Sequence, residues 1–273
     1  IKVILSYLKF LFEEQFGKMR FYTAERNVKI DVLIPTITKD FLALEKTINS
    51  LNLINHQVEN IYVVSREEED IVNFCASRGI NFVNEKSIFK NLNFNYTFNN
   101  INRTGWLLQQ LIKLNGDQIC KNENFLVIDS DTFFVNPITL FSDNKQLLFF
   151  GKEWYWQYFI SNRELINLET QSNHSFIVHF MVFNKSKLVE LKNEIEMNFG
   201  KTKWYEQIIG LTRKFNDISV FSEFELYSNW CLKNYPESFL ITPCFNLKLK
   251  NLSKLSEIKS FNKIHTVSVH KSS

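Results

Sequence analysis

Two aspartates one residue apart, Asp129 and Asp131, end the apolar run of FLVIDSDTFFVNP, residues 125–137. On an extended backbone residues i and i+2 point to the same side, which sets both carboxylates facing one way with Ser130 opposite. The run before them reads as a strand buried on both faces, and open α/β sheets bind ligands beyond the carboxyl ends of such strands. Two converging carboxylates raise each other's proton affinity unless a cation intervenes. Mg2+ or Mn2+ held by one or two carboxylates is the natural relief, and it keeps positions open for substrate phosphates. The plain alternative is a pair of loop carboxylates capping the next element.

The elements that must position this pair follow from periodicity. KIDVLIP (29–35) reads as a buried strand, and DFLALEKTINSLNLI (40–54) has helical spacing with Asp40 as its N-cap. NIYVVS (60–65) is a second strand, EEEDIVNFCASRG (67–79) a helix closed by Gly79, and INFVN (80–84) a third strand. An Asn-rich loop (91–102) leads to the helix TGWLLQQLIKLN (104–115) and the strand NFLVID (124–129). This alternation predicts parallel pairing in a doubly wound sheet of nucleotide-binding type over residues 29–135. Beyond it, QLLFFG, SFIVHFMVFN and KIHTVSVH read as strands, and KSKLVELKNEIEMNF and SEFELYSNWCLKNY as helices. With no Pro/Gly/Ser linker, the expectation is an α/β fold with one domain over 29–273. Its nucleotide half, 29–135, shares a core with a mixed acceptor half, 136–273.

Composition excludes several classes. Hydrophobic residues at 45% and charged residues at 22% fit a globular chain, and 273 residues need no disulfide or metal staple. The abundance of Phe (27) beside scarce Gly (7) and Pro (4) reads as codon bias, not function. A net charge of +3 without a basic stripe argues against nucleic acid. Cys75, Cys120, Cys231 and Cys244 form no C-x-x-C pair, as expected of buried thiols in a reducing compartment. The apolar opening IKVILSYLKFLFEEQF is interrupted by Lys2, Lys9, Glu13 and Glu14, too soon for a membrane span, so residues 1–28 are expected to form an amphipathic helix or extension. The chain begins at Ile1 rather than Met, as an excised region of a longer chain would.

D-x-D at a strand end occurs in haloacid-dehalogenase-type phosphohydrolases, with the first Asp as nucleophile on the first strand and Thr or Val in fifth place. Here Phe133 takes that place on about the fourth strand. GT-A glycosyltransferases instead set D-x-D after a nucleotide-binding half. The stretch DVLIPTITKDFLALEKTINSL resembles their opening strand, loop and helix. NRTGWLLQQLIKL, FLVIDSDTFFVNP, SFIVHFMVFNKSKL and FSEFELYSNW, in that order, resemble a family of bacterial glycosyltransferase-like proteins of uncharacterised function found in surface-polysaccharide gene sets. The resemblance spans roughly residues 30–270 and implies fold and reaction class without naming the sugar.

Carried onto this chain, the resemblance implies Asp129 and Asp131 as metal ligands, completed by His270. It puts Pro35, Thr36, Lys39 and Ser65 near the base and ribose, and Asn102, Arg103 and Gln109 or Gln110 before the metal strand, with Ser130 also at the donor. Arg103 suits a diphosphate because a guanidinium matches its oxygens with two parallel hydrogen bonds. In FSEFELYSNW, Ser222 is a good N-cap and Glu225 occupies the capping-box position. Glu223 in the first turn then becomes the base that deprotonates an acceptor hydroxyl, with Glu225 the second candidate. His179 is expected at the acceptor pocket, while His265 points away from His270. The aromatic run WYWQYF (154–159) serves as a sugar platform or as core.

The implied activity is transfer of a sugar from a nucleotide diphosphate, most simply a UDP-sugar, with Mn2+ or Mg2+, to a glycan hydroxyl with inversion. The pathway would be lipopolysaccharide or capsule synthesis. The expected location is the cytoplasm, with room for association with the inner membrane or other assembly enzymes. A non-catalytic nucleotide- or glycan-binding module of the same fold is the alternative from another class.

Overall fold

The computed structural model describes residues 10–11, 22–25, 27–90, 92–258, 260–261 and 263–269. Most of the extension expected over 1–28 lies outside them, as does His270; Phe10 is helical and buried against the rings of Phe150 and Phe245. No helix among the described residues is long and apolar enough to cross a membrane.

The central sheet has strands β1 (Lys29–Pro35), β2 (Gln57–Ser65), β3 (Asn81–Asn84), β4 (Asn124–Ile128) and, from the second half of the chain, β7 (Phe180–Asn184). Their order is β7-β4-β1-β2-β3; all neighbours are parallel except β7, which runs antiparallel along β4. Period-two alternation divides the apolar residues between two layers. Leu33, Phe125 and Val127 pack on one side with Leu107, Leu111 and Tyr227, and Val32, Ile34, Leu126 and Ile128 on the other with Leu44 and Ile71. Each such side chain contributes roughly 1.5–3 kcal/mol by leaving water. Both faces are thus covered, as the uninterrupted apolar runs require.

Helices α1 (Phe41–Ser50), α2 (Glu69–Ser77) and α3 (Thr104–Leu114) are the expected crossovers. Gly79 ends the α2 turn at φ +66°, a conformation open to glycine without strain. Asp40 precedes α1 but makes no side-chain cap bond, because Thr38–Asp40 is itself a short 3-10 turn. The four-residue helix Gly116–Ile119 seats directly on β4: a Cβ on Gly116 would lie 2.3 Å from the Phe125 ring and 3.0 Å from Leu33.

The second half departs further from expectation. Helices α4 (Trp156–Ile166) and α6 (Trp204–Lys214) accompany the anticipated α5 (Lys185–Asn198) and α7 (Glu223–Asn234). Within SFIVHFMVFN the strand begins at Phe180, because His179 takes a left-handed backbone at φ 67° and Ser175 bridges to Gly151. Strand β5 (Thr132–Phe134) leaves the central sheet and pairs antiparallel with β10 (Thr266–Val269), which runs parallel to β9 (Asn246–Leu249). Strand β6 (Lys145–Phe150) pairs in parallel with β8 (Phe239–Pro243).

Candidate functional site

A cleft of about 670 Å³ opens over the carboxyl ends of the parallel strands. Its lining takes Pro35 from the end of β1, Arg66 after β2, Glu85 after β3 and Asp129 to Asp131 after β4. Helix α3 adds Trp106, Gln109, Gln110 and Lys113, and the start of α7 adds Phe221 to Phe224. Lys39, Asn102, Arg103 and Ser130 also line it; Thr36, Ser65 and Glu225 do not.

Asp129 and Asp131 do not sit on extended chain. Thr132 N–H donates to the Asp129 carbonyl at 3.0 Å, closing a turn between β4 and β5. The turn is fixed from three sides. Asp129 N–H donates to His179 O at 2.9 Å, Thr47 Oγ1 to Ser130 O at 2.9 Å, and Val269 N–H to Asp131 O at 2.9 Å. Both carboxylates reach the cleft through this turn.

A residue that the sequence reading passed over organises the floor. Lys113 Nζ donates to Asp129 Oδ1 at 2.5 Å and to Glu223 Oε1 at 2.7 Å, from a side chain 7% exposed. Burial alone would depress the ammonium, but Asp129 and Glu223 override it and raise the lysine above its usual range. Asp129 Oδ2 pairs with His179 Nδ1 at 3.1 Å, and His179 Nε2 stands 3.5 Å from Glu153 Oε1, which also pairs with Lys248. Lys113, Asp129, His179, Glu153 and Lys248 therefore alternate in charge. Burial opposes the ionised form of His179, yet its two carboxylate neighbours raise it to about 9, and Lys113 with His179 holds Asp129 well below the carboxylate range. The left-handed backbone at His179, a strain of about 1–3 kcal/mol, persists because these contacts fix it.

Glu223 and Glu225 have different surroundings. Glu223 lies in the first turn of α7, with Oε1 on Lys113. With the Gln110 amide turned so that its nitrogen faces Glu223, that nitrogen donates to Oε2 at 2.7 Å and to Phe221 O at 2.8 Å. Burial raises the Glu223 carboxyl against the pull of Lys113. Ser222 caps the helix by accepting from Glu225 N–H at 3.3 Å. The reciprocal capping-box bond is not made: the Glu225 side chain accepts from Ser175 Oγ at 2.6 Å, Phe176 N–H at 2.9 Å and Asn229 Nδ2 at 3.2 Å. Fully buried and away from the cleft, Glu225 braces the segment leading to His179, and burial lifts its carboxyl to about 7. As a candidate base it is therefore set aside on geometry.

The other expected residues divide likewise. The Arg103 guanidinium donates to Ile218 O at 3.0 Å and to Ser219 Oγ at 3.3 Å, and lies 4.2 Å over the Trp106 ring, so it braces the cleft wall as well as lining it. Ser65 is wholly buried at the end of β2, and Thr36 N–H is spent on Val64 O. His265 is a packed core histidine: its Nδ1 accepts from Phe245 N–H at 3.1 Å, and burial lowers it to about 4. In the aromatic run, Trp154 stacks on Phe159, Tyr155 donates to Asp217, Tyr158 lines the cleft and Trp156 is 63% exposed. All four cysteines are buried thiols.

The lining carries six carboxylates (Asp40, Glu85, Asp129, Asp131, Glu153, Glu223) against Lys39, Arg66, Arg103, Lys113 and the His179 imidazole. Among the described residues no group of three or more His, Cys, Asp or Glu is placed to hold a metal ion. Asp131 lines the cleft and is the carboxylate that could hold a divalent cation together with the phosphates of a ligand. Asp129 fits poorly, since Lys113 and His179 take both its oxygens.

No curated protein matches the sequence. Among solved structures, mouse xyloside xylosyltransferase 1 in its apo form is similar at 13% identity and a TM-score of 0.49, over 88% of this chain and 97% of that one. A likeness at that level bears on no functional point. A family model described as "Family of unknown function (DUF6492)" matches residues 27–252, and the chain belongs to that family.

Proposed function

We propose that the protein is a glycosyltransferase of GT-A type that moves a sugar from a nucleotide diphosphate to a glycan hydroxyl. The observation that carries this reading is the convergence of Asp129, Asp131, Lys113 and Glu223 in one cleft at the carboxyl ends of a parallel sheet. That is where open α/β sheets take nucleotides. The sequence resemblance to glycosyltransferase-like proteins supplies the reaction class.

On this reading the nucleoside occupies the end lined by Pro35, Lys39 and Arg66, and the acceptor enters past Tyr158 and Ile177. Asp131, with the donor's own phosphates, would hold Mn2+ or Mg2+; bound there, the cation neutralises charge on the leaving diphosphate. Glu223 takes the proton of the acceptor hydroxyl as that oxygen bonds the anomeric carbon. The bond from that carbon to the diphosphate breaks, and its electron pair leaves with the phosphate. Direct displacement inverts the centre. Glu223 suits the role because burial raises its proton affinity while Lys113 and Gln110 fix its orientation. The finer expectations are a UDP-sugar donor, an acceptor in bacterial lipopolysaccharide or capsule synthesis, and action in the cytoplasm or at the cytoplasmic face of the membrane.

Thermal unfolding with a panel of nucleotide sugars and Mn2+ tests the donor, because a ligand bound to the native state raises the midpoint by mass action. A UDP-sugar should raise it, and the same mixture should release UDP slowly. If no nucleotide sugar shifts the midpoint, the reading fails and a glycan-binding module takes its place.

A further inference from the structure

We propose that Arg103 forms a subsite for an anionic group on the acceptor, a carboxylate or a phosphate, so that the protein acts on an acidic glycan. The proposal rests on the glycosyltransferase reading for the ligand being an acceptor; the anion site itself stands on geometry. The cations of the cleft differ in their company. Arg66 pairs with Glu85 at 3.1 Å, and Lys113 with Asp129 and Glu223. Arg103 lines the same cleft but donates to two neutral oxygens, Ile218 O at 3.0 Å and Ser219 Oγ at 3.3 Å. Among the described residues no carboxylate lies within ion-pair distance of it. Its two bonds leave from Nε and Nη2, so the edge between Nη1 and Nη2 keeps a fork of N–H groups. Such a fork matches two oxygens of a carboxylate or phosphate with parallel bonds.

The surroundings strengthen that pairing. The half-buried guanidinium lies 4.2 Å over the Trp106 ring, and burial lowers it from its usual range. The groups opposing that fall are Tyr96, Tyr158 and Tyr155, phenols that carry no charge at neutral pH. An anion arriving here is attracted across a medium poorer in water than the open surface, where screening is weak.

Its place along the cleft separates Arg103 from the diphosphate expected of it. Arg103, Trp106, Gln110 and Lys113 follow one another at spacings of three, four and three residues, one stripe of α3 facing the cleft. From Arg103 to Lys113 that stripe runs about 15 Å along the helix axis. Asp129 and Glu223 lie at the Lys113 end, which on the glycosyltransferase reading is where the diphosphate and the base work. Tyr158 stands between the two ends, its hydroxyl feeling the charges of both Glu223 and Arg103. An acceptor whose hydroxyl reaches Glu223 and which leaves past Tyr158 carries its further groups to Arg103.

The test is calorimetric titration of the wild type, Arg103→Gln and Arg103→Lys with matched sugars. One arm sets the methyl glycosides of glucuronic and galacturonic acid against those of glucose and galactose. The other sets glucose 6-phosphate and galactose 6-phosphate against the same neutral glycosides. The wild type should prefer the anionic member of one arm about tenfold or more, the scale of a charge-assisted hydrogen bond. The uronides winning assigns a carboxylate, and the 6-phosphates winning a phosphate. Arg103→Gln should erase the preference while neutral sugars bind within about twofold of wild type; a merely structural brace would weaken both members alike. Arg103→Lys keeps the charge without the fork and should retain only part of the preference. Equal affinity for anionic and neutral sugars in both arms overturns the proposal, as does a preference that survives in Arg103→Gln. Should Arg103→Gln fail to fold, an unchanged ratio in Arg103→Lys overturns it instead. Titration with UDP and Mn2+ separates the two readings. If UDP does not bind while the anion preference holds, the donor assignment falls and the Arg103 site stands; if UDP binds and no preference appears, only the Arg103 site falls.

Discussion

Lys113 on the cleft floor and Lys192 in the helical core each extend a buried ammonium toward an aspartate, Asp129 and Asp117 respectively. Around Lys192 burial wins: its ammonium is depressed, with Asp117 as its bonded carboxylate and the Trp204 ring 5.4 Å away. Around Lys113 a second bonded carboxylate, Glu223, reverses the balance and the lysine is raised. The core pair joins α5 to the helix Gly116–Ile119 and does not line the cleft over the parallel strands, whereas Lys113 and Asp129 do. A buried ion pair is thus not one kind of object. One bonded carboxylate leaves desolvation ahead, whereas two outweigh it and keep the ammonium charged at the cleft.

That contrast breaks if changes at the two places have similar effects. The largest expected effect is at the cleft. Asp131→Asn should cut hydrolysis or transfer of a UDP-sugar by about two orders of magnitude, the scale of losing one preorganised electrostatic contact. The thermal midpoint should hardly move, and turnover near the wild-type level would sink the assignment of Asp131. In the core the order inverts. Asp117→Ala strands a buried lysine and should cost about 3–5 kcal/mol in urea unfolding, with the surviving folded fraction still binding donor. Lys192→Met combined with Asp117→Asn removes both charges and should recover most of that loss; if it unfolds as readily as Asp117→Ala, the pair matters for shape, not charge.

A third test uses Glu225, which has polar partners but no cation. Its folded proton affinity, raised to about 7 from an ordinary 4.5, means the native state binds the proton more tightly than the unfolded chain. The resulting stabilisation is complete below about pH 4.5 and is lost as pH rises through 7. Wild type minus Glu225→Gln should therefore show stability falling between pH 5 and 7, and a flat difference would count against the burial argument. The smallest effect belongs to the exposed pair Arg163 and Glu169, where Arg163→Ala should leave the urea midpoint unmoved.

Much of the scaffold was legible because uninterrupted apolar strands and capped helices announce themselves; β1, α2, α3, β4 and the Ser222 cap lie where the pattern sets them. That the aspartate pair lies where a buried strand leaves the sheet was legible, though not its turn, which is fixed by Val269 from far along the chain. Lys113 was missed because a lysine in a helix is ordinarily read as solvent-facing or snorkelling. Its sign was present: it stands between Ile112 and Leu114, three residues after Gln110, in the last turns of a helix whose residues from Gln110 to Leu114 are all buried. His179 was read within an unbroken strand because SFIVHFMVFN carries no glycine to betray the left-handed residue. Thr36, Ser65 and Glu225 looked available because strand-end and first-turn polar residues usually are, and depth of burial is a three-dimensional quantity.

Gly116 gives the site a remote vulnerability. The helix it begins rests on the Phe125 ring with no room for a methyl group, and Phe125 lies four residues before Asp129, on the strand that leads into the aspartate turn. An alanine there would press on the strand that presents the aspartate turn. Such a variant would disturb the aspartate turn from a position that does not itself line the cleft.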